Sequence, residues 1–597
     1  QLSHRGPDNN KVEHDGFIAS LGHTRLAIID LDKSSNQPMF SSDGKFILVF
    51  NGEIYNFQEI KRKLYPYQFK TNSDTEVVLA SYLRWGKDCV KEFNGMFSFA
   101  IWDKEKKELF CSRDRVGIKP FYYYYDNNIF AFSSELRPLM TCPLIKTKLN
   151  RKKLHEFLAY QTVRAPDTIL QNIYSLHPGN SFIVSETNIF REEYWNIEDY
   201  SNICDHSYEE AVANLRNLFM NSIELQMNSD VQLGAFLSGG IDSSAIVGAM
   251  SEISSSPIHT ISINFDEAMY SEKEFSDLVA KKYKTDHQSI NLKAADLLNY
   301  IPDAISAMDH PSGDGINTFV ISKIAKDKGI KVALSGLGGD ELFAGYNTFN
   351  RLRIISKNEW LKLVPKGLAD ISAYGLSKII SGPLLDKYKE FTKINSYALN
   401  EIYPIMRKVI SKEDRDKILL IEEDFSPFIS NSASSEDIFS LAKNENLISK
   451  ISALEIKSYM SEVLLRDADQ MSMSHSLELR VPFLDHNLIQ YTLSLRDSFK
   501  ISNSQKGLFV NSVKDLLPKE LIYRNKMGFT FPWELWMRGE LKHFVEGSIK
   551  NLSEREEFSS EYLIGYLEDF LKGKKNISWS RIWHLAVLEN WLSENSL

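Results

Sequence analysis

The 597 residues are 43% hydrophobic, 25% charged and 12% aromatic, a globular mixture that excludes a mainly disordered, fibrous or collagen-like chain and leaves room for two or three large domains. Lys plus Arg number 70 against 79 Asp plus Glu, for a net charge of −9. That sign argues against nucleic acid as the partner and for a small-molecule substrate.

The sequence contains no apolar run of 18 residues and no basic-then-apolar leader, so no membrane partner is expected. Cys89, Cys111, Cys142 and Cys204 form no C-x-x-C pair and read as reduced thiols of a cytoplasmic protein. Because the chain starts at Gln1 and runs straight into a motif, it is expected to lack its extreme N-terminus.

From about Gly16 to Val184 the pattern is short strands with turn signals. Phe46–Phe50 reads as a strand followed by Asn51-Gly52, the dipeptide that favours a hairpin turn. Helices are expected over Phe57–Leu64 and Asp74–Trp85, and strands over Met96–Trp102 and Pro120–Tyr125. The polar stretch Trp195–His206 separates two expected domains, 1–195 and 206–597, and an amphipathic helix is predicted from Tyr208 to about Met227. Beyond it, strands at Gln232–Leu237, His259–Phe265 and Lys331–Leu334 alternate with helices, one of them starting at Ser243. That alternation predicts a parallel sheet covered on both faces. From about Asn350 the chain reads as a helical extension, and Asn350–Lys450 carries no recognisable motif.

Two glycine-rich strand exits stand out. Phe236-Leu-Ser-Gly-Gly-Ile-Asp-Ser-Ser244 passes from an apolar strand through glycines into a helix, where backbone N–H groups and serine hydroxyls can cradle a phosphate. Alone it would equally be a tight turn with a serine cap, but Asp242 beside it suits a bridging Mg2+. Val332-Ala-Leu-Ser-Gly-Leu-Gly-Gly-Asp-Glu341 repeats the device, and two such exits from one sheet face one crevice. Taken alone, Asp340 and Glu341 would be helix-N-terminal acids.

Leu465–Asp485 and Arg524–Phe529 would each read as ion-pair clusters, and His475 as a packing histidine. In the first half, Arg5-Gly-Pro-Asp8 reads as a turn. The polar run Asn51-Gly-Glu-Ile-Tyr-Asn56, followed by Thr71–Glu76, could supply amides for an oxyanion hole.

Taken in order, Arg-Gly-Pro-Asp, Asn-Gly-Glu-Ile-Tyr-Asn, Ser-Gly-Gly-Ile-Asp-Ser, Gly-Gly-Asp-Glu and Ser-Leu-Glu-Leu-Arg-Val-Pro-Phe-Leu-Asp resemble the glutamine-hydrolysing asparagine synthetase family over nearly the whole chain. The resemblance implies an N-terminal-nucleophile glutaminase, an αββα sandwich, followed by an α/β parallel-sheet ATP-pyrophosphatase domain with a helical extension. It implies glutamine, ATP, Mg2+ and a carboxylate, aspartate first, as the reacting partners.

By the same resemblance Arg5, Asn51, Gly52, Glu53 and Asp74 form the glutamine pocket, and Arg25 lies in a matching stretch, Gly22–Leu26. Asn51 and Gly52 would give oxyanion donors, Arg5 would meet the substrate carboxylate, and Glu53 with Asp74 its ammonium. Ser238, Gly239, Gly240, Asp242 and Ser243 would hold pyrophosphate and Mg2+, with Asp340 as a further metal ligand. Ile263, Ser335 and Gly336 would bind the nucleotide, and Lys526 would stabilise the adenylated intermediate.

Two departures stand out. The family's nucleophile, a cysteine that follows the initiator methionine, has no counterpart before Cys89. Leu337 occupies a position where many members carry an acid, so either the acceptor is not aspartate or Glu341 or Glu478 takes over that role. Amidation of another carboxylate, such as a sugar uronic acid, and a catalytically inactive nucleotide-binding regulator stay open as alternatives. So does the oligomeric state, a homodimer included.

Overall fold

The computed structural model describes residues 1–597 except 127, 187, 201–202, 268–269, 358–382, 395, 423–445, 502–505, 525–529 and 575–576. β1 (Asn9–Asp15) and β2 (Ala19–Arg25) form an antiparallel hairpin. β3 (Met39–Phe40), β4 (Phe46–Ile54), β5 (Gly95–Asp103) and β6 (Glu108–Arg113) follow, then β7 (Tyr122–Tyr125), β8 (Phe130–Ser133), β9 (Ile173–Ser175), β10 (Asn180–Val184) and β11 (Ile189–Glu193). They build a six-stranded antiparallel sheet, ordered β11-β10-β6-β5-β4-β3, and a three-stranded sheet, β8-β7-β9.

Strand alternation sets the layers. Leu48 and Phe50 of β4 turn to the helices α1 (Phe57–Lys63) and α2 (Asp74–Trp85), packing with Ile60 and Val77. Ile47 and Val49, on the other face, meet Phe121, Tyr123 and Phe182 between the two sheets. Tyr122 and Tyr124 turn outward to α3 (Leu136–Met140) and α4 (Leu154–Tyr160). The stack is helix, sheet, sheet, helix: the αββα sandwich.

The hairpin expected at Asn51-Gly52 is corrected. Both residues lie inside β4, paired with Ser98 and Phe97 of β5. Nine residues of continuous pairing with β5 outweigh the local turn preference of the dipeptide.

The second half opens with α5 (Tyr208–Gln226), started by a capping box in which Ser207 and Glu210 exchange side-chain and backbone hydrogen bonds. β12 (Leu233–Phe236) leads into α6 (Ile241–Ile253), and β13 (His259–Asn264), β14 (Asp286–Asn291), β15 (Val332–Leu334) and β16 (Glu478–Arg480) complete a five-stranded sheet. Every pairing is parallel and the order is β14-β13-β12-β15-β16. The chain leaves β12 first to one side and later to the other, which opens a crevice beyond the strand ends.

Helices fill both faces, including Ile316–Asp327 and Trp579–Glu594. One long helical segment, Leu447–Met473, has a π-helical middle from Ile456 to Leu464. Leu154 and Phe157 of the first half share an apolar cluster with Trp583 and Trp591 of the second, so the two halves pack through a common core. Among the described residues no helix is long and apolar enough to cross a membrane.

Candidate active site

The crevice beyond β12 and β15 is a cavity of ≈300 Å3. Ser238, Gly240, Asp242 and Ser243 line it from one exit, Ser335, Gly336, Leu337, Asp340 and Glu341 from the other, and Ile263 from β13. Glycine is required here by close approach. A Cβ on Gly339 would fall 2.6 Å from Asp242 Cγ, and Gly239 adopts φ +78° with only 2.8 Å between its Cβ position and Ser276 N. The cap residue of α6, Gly240, offers no side chain to its first turn, a start that suits an anion. The Ser238 and Ser243 hydroxyls stand 3.1 Å apart beside them.

Two carboxylates converge on one ammonium: Lys506 Nζ lies 2.5 Å from Asp242 Oδ2 and 2.6 Å from Asp340 Oδ1. Burial disfavours the charge on Lys506, but the two carboxylates more than offset this and raise its pKa. Sequence reasoning missed Lys506, because a lone lysine in Ser-Gln-Lys-Gly carries no pattern. Its one signal is indirect, in that two acids at facing turns need a cation between them. Glu341 is buried, which pushes its carboxyl up to about 7 with help from Asp340, while the Tyr346 hydroxyl donates to it at 2.8 Å. Arg524 pairs with Glu272 at the rim and lies 4.2 Å over the Phe275 ring.

Glu478 is not brought into this crevice. It sits at the start of β16, level with Val332 rather than with the strand exits, and accepts from Arg480 Nε at 2.8 Å. Strand alternation turns Glu478 and Arg480 together toward the first half, where Arg480 Nη2 lies 3.7 Å from Glu53 Oε1. Lys526 lies outside the described residues.

In the first half, Asn51 lines a cavity of ≈490 Å3 with His23, Phe50 and Ser98. Gly52 takes φ +146°, and a Cβ there would stand 2.0 Å from Met96 O. Glu53 and Asp74 are buried beside it, and Asp74 accepts from Ile54 N at 2.9 Å. Burial drives both carboxyls upward, Asp74 to about 6 and Glu53 well above its ordinary value, and their neighbouring acids add to this. The wholly buried Arg480 is the contacting cation for this cluster, and it also donates to Gln226 O and Asn228 O at 2.8 and 2.7 Å.

Arg5 lies elsewhere. Its guanidinium is held by Glu135 at 3.1 Å and by Asp469 of the second half at 2.7 Å, in a small cavity between the halves. Arg25 is spent on the 29–36 loop, donating to Asp32 O at 2.8 Å and Asn36 Oδ1 at 2.9 Å. The four cysteines are free, and burial raises the thiol pKa of Cys89 and Cys111.

Comparison with known proteins covers both halves of the chain. Residues 214–593 match the asparagine synthase family model and residues 1–195 that of the glutamine amidotransferase domain. The chain belongs to the asparagine synthase family. Asparagine synthetase [glutamine-hydrolyzing] 1 of Bacillus subtilis (strain 168) is 29% identical over 599 residues, spanning 100% of this chain and 92% of its own length. Putative asparagine synthetase [glutamine-hydrolyzing] 2 of Methanocaldococcus jannaschii is 38% identical over 392 residues, 62% of this chain and 74% of its own. Amidase chry2 of Gibberella zeae is 26% identical over 593 residues, 90% of this chain and 85% of its own. An asparagine synthase family chain with an amidotransferase domain is a ligase of the glutamine-dependent, amide-forming kind.

Proposed function

We propose that the first half is a glutamine-hydrolysing domain, whose nucleophilic cysteine is not among the residues of this sequence, and that the second uses ammonia to convert a carboxylate, aspartate in the first instance, to its amide at the expense of ATP. The carboxylate oxygen attacks the α-phosphorus of ATP and pyrophosphate leaves. Ammonia then attacks the acyl carbon, AMP departs, and one proton is released. Adenylation is needed because a carboxylate offers no leaving group.

The observation that carries the reading is the convergence of Asp242 and Asp340 on one cation between two glycine-rich exits. Serine hydroxyls and the N-terminus of α6 suit the pyrophosphate, and Lys506 supplies a positive charge where negative charge develops on it. The same carboxylate pair fits Mg2+, which takes one or two carboxylates together with substrate phosphates. The ion would lower the charge on the phosphates.

Glu341, poised near 7 and touching Tyr346, is the group suited to accept the proton from the attacking ammonia. In the other half, Asn51 and the Gly52 amide would receive the oxyanion. Glu53 and Asp74, with acids in excess over the one guanidinium, would receive the ammonium of glutamine. The cavity holding Arg5 and Asp469 draws its walls from both halves, in keeping with internal passage of ammonia.

Leu337 in the crevice favours a second reading, the same chemistry on a carboxylate other than aspartate. Pyrophosphate release from ATP and Mg2+ with ammonium chloride, comparing aspartate with other carboxylates, separates the two. Release with aspartate and asparagine as product supports the first reading, and release with another acid alone supports the second. Tight ATP binding without release from any acid refutes both.

A further inference from the structure

The helix Ile316–Asp327 closes one side of the crevice. Asn317, Thr318 and Ile321 line it, three and four residues apart as one helix face requires. Ile321 packs with Leu337 and Phe236 on one apolar cluster that includes Ile261, Ala325 and Ala333. The wall that these lining residues make is neutral, with Phe236, Ile321 and Leu337 beside one amide and one hydroxyl.

Asn317 is the unusual member of that wall. Its Oδ1 is buried without a hydrogen-bond partner among the described residues. An amide left in this way costs free energy in the empty protein, and a ligand that supplies the missing partner removes the cost. The amide can present its oxygen as acceptor or its NH2 as donor, and the Thr318 hydroxyl can act as either. Such a pair suits the hydroxyl groups of a ligand.

The charged groups of the crevice have other partners. Among its described lining residues the cations are Lys506, held by Asp242 and Asp340, and Arg524, held by Glu272, while Glu341 accepts from Tyr346. Aspartate would bring an ammonium and a second carboxylate to a neutral wall, where an ion gives up its hydration without gaining a counter-charge. A hydroxyl gives up a hydrogen bond to water and regains one from Asn317.

We propose that Asn317 and Thr318 are specificity residues that read hydroxyl groups of the acceptor, so that the acid amidated beside Leu337 is a hydroxylated one with no charge beyond its reacting carboxylate, as in a sugar acid. The inference rests on the amidation reading and takes the second of its two acceptors.

The test compares acceptors with and without hydroxyls. Pyrophosphate release from ATP and Mg2+ with ammonium chloride is measured on the full chain with glucuronic acid, galacturonic acid, aspartate, and tetrahydropyran-2-carboxylic acid, which has the ring and the carboxylate without the hydroxyls. A sugar acid is expected to be the best acceptor. Asn317→Leu, of nearly the same shape, should raise its KM about three- to tenfold, and Thr318→Val should do so independently. Neither variant should change the KM of the hydroxyl-free ring acid, or the affinity for a non-hydrolysable ATP analogue, by more than about twofold, whereas a merely structural defect would move all of these together. Asn317→Leu is also expected to melt no lower than wild type, since an apolar side chain replaces an unpartnered amide.

Equal losses for the sugar acids and the hydroxyl-free acid overturn the assignment, and so does weakened binding of the ATP analogue in Asn317→Leu, which would place Asn317 on the nucleotide. Release with aspartate but with neither sugar acid overturns it as well and leaves the amidation reading standing. Calorimetry with the analogue and Mg2+ in place separates the opposite case. If a sugar acid binds, Asn317→Leu weakens that binding and no acid supports release, the amidation reading falls and the hydroxyl site stands. Neither binding nor release with either sugar acid at millimolar concentration overturns the proposal.

Discussion

Replacing Arg480 by Gln tests the charge balance between the halves. The guanidinium is fully buried, contacts Glu478 at 2.8 Å and Glu53 at 3.7 Å, and faces Asp74 within the same cluster. Its loss leaves these carboxylates desolvated without their contacting cation and strips hydrogen bonds from Gln226 O and Asn228 O. Removing one partner of a buried ion pair destabilises by about 3–5 kcal/mol. For a domain of ordinary size this is a fall in Tm of roughly 6–20 °C.

The deficit also has a predicted pH dependence. The buried Asp74 carboxyl titrates near 6, above its unfolded value of 3.8. The folded state therefore binds its proton first as pH falls, and this group adds stability on going from pH 7 toward 4. In Arg480→Gln the uncompensated acids protonate more readily still, so the deficit should shrink as pH falls from 8 to 6. Thermal melts of both proteins across that range provide the measurement. A Tm loss below about 2 °C at pH 8, or a deficit that grows on acidification, would refute the electrostatic account.

Asp242→Asn should lower ammonia-dependent pyrophosphate release by about 10²–10³-fold, and a rate within threefold of wild type would sink its assignment to the phosphate site. If Glu341 is the base, deprotonation near 7 is expected to make the wild-type rate rise between pH 6 and 8, and Glu341→Gln should abolish that rise. Rates must be compared at a fixed concentration of unprotonated ammonia, and a retained limb would show that another group is the base. Gly52→Ala meets both a positive φ and a Cβ contact of 2.0 Å with backbone. It should melt lower by an amount equivalent to at least about 1–3 kcal/mol, and an unchanged melting curve would contradict the strand geometry.

Much of this architecture is legible in the sequence because local pattern and global fold agree. Asp74–Trp85 is a helix over the predicted residues, and the strand cores at Met96–Trp102, His259–Phe265 and Lys331–Leu334 differ from β5, β13 and β15 by a residue or so at their ends. The Asn51-Gly52 turn failed because pairing with β5 is a long-range fact that a dipeptide does not contain.

Lys506 was invisible because its meaning depends on two aspartates more than 160 residues away. That Glu478, one of two acids left open for the role, lies away from the crevice was hidden for the opposite reason. Its motif was recognised, but which face of β16 it occupies depends on register, and one residue of shift sends a side chain to the opposite face. Arg5 had a plausible ligand in sequence and found two carboxylates, Glu135 and Asp469, in space.

β16 is three residues long, and two kinds of interaction claim it. Its backbone extends the parallel sheet, with Arg480 O accepting from Ser335 N at 2.9 Å at the head of the second glycine turn. Its Glu478 and Arg480 side chains close the charge cluster of the amidotransferase half. Cutting the gene between the halves and producing two polypeptides would therefore yield one fragment with a charged pair on a bare sheet face and another with buried acids lacking a counter-ion. Each fragment would lack ion pairs that the intact chain has, so the two halves share this part of their stability.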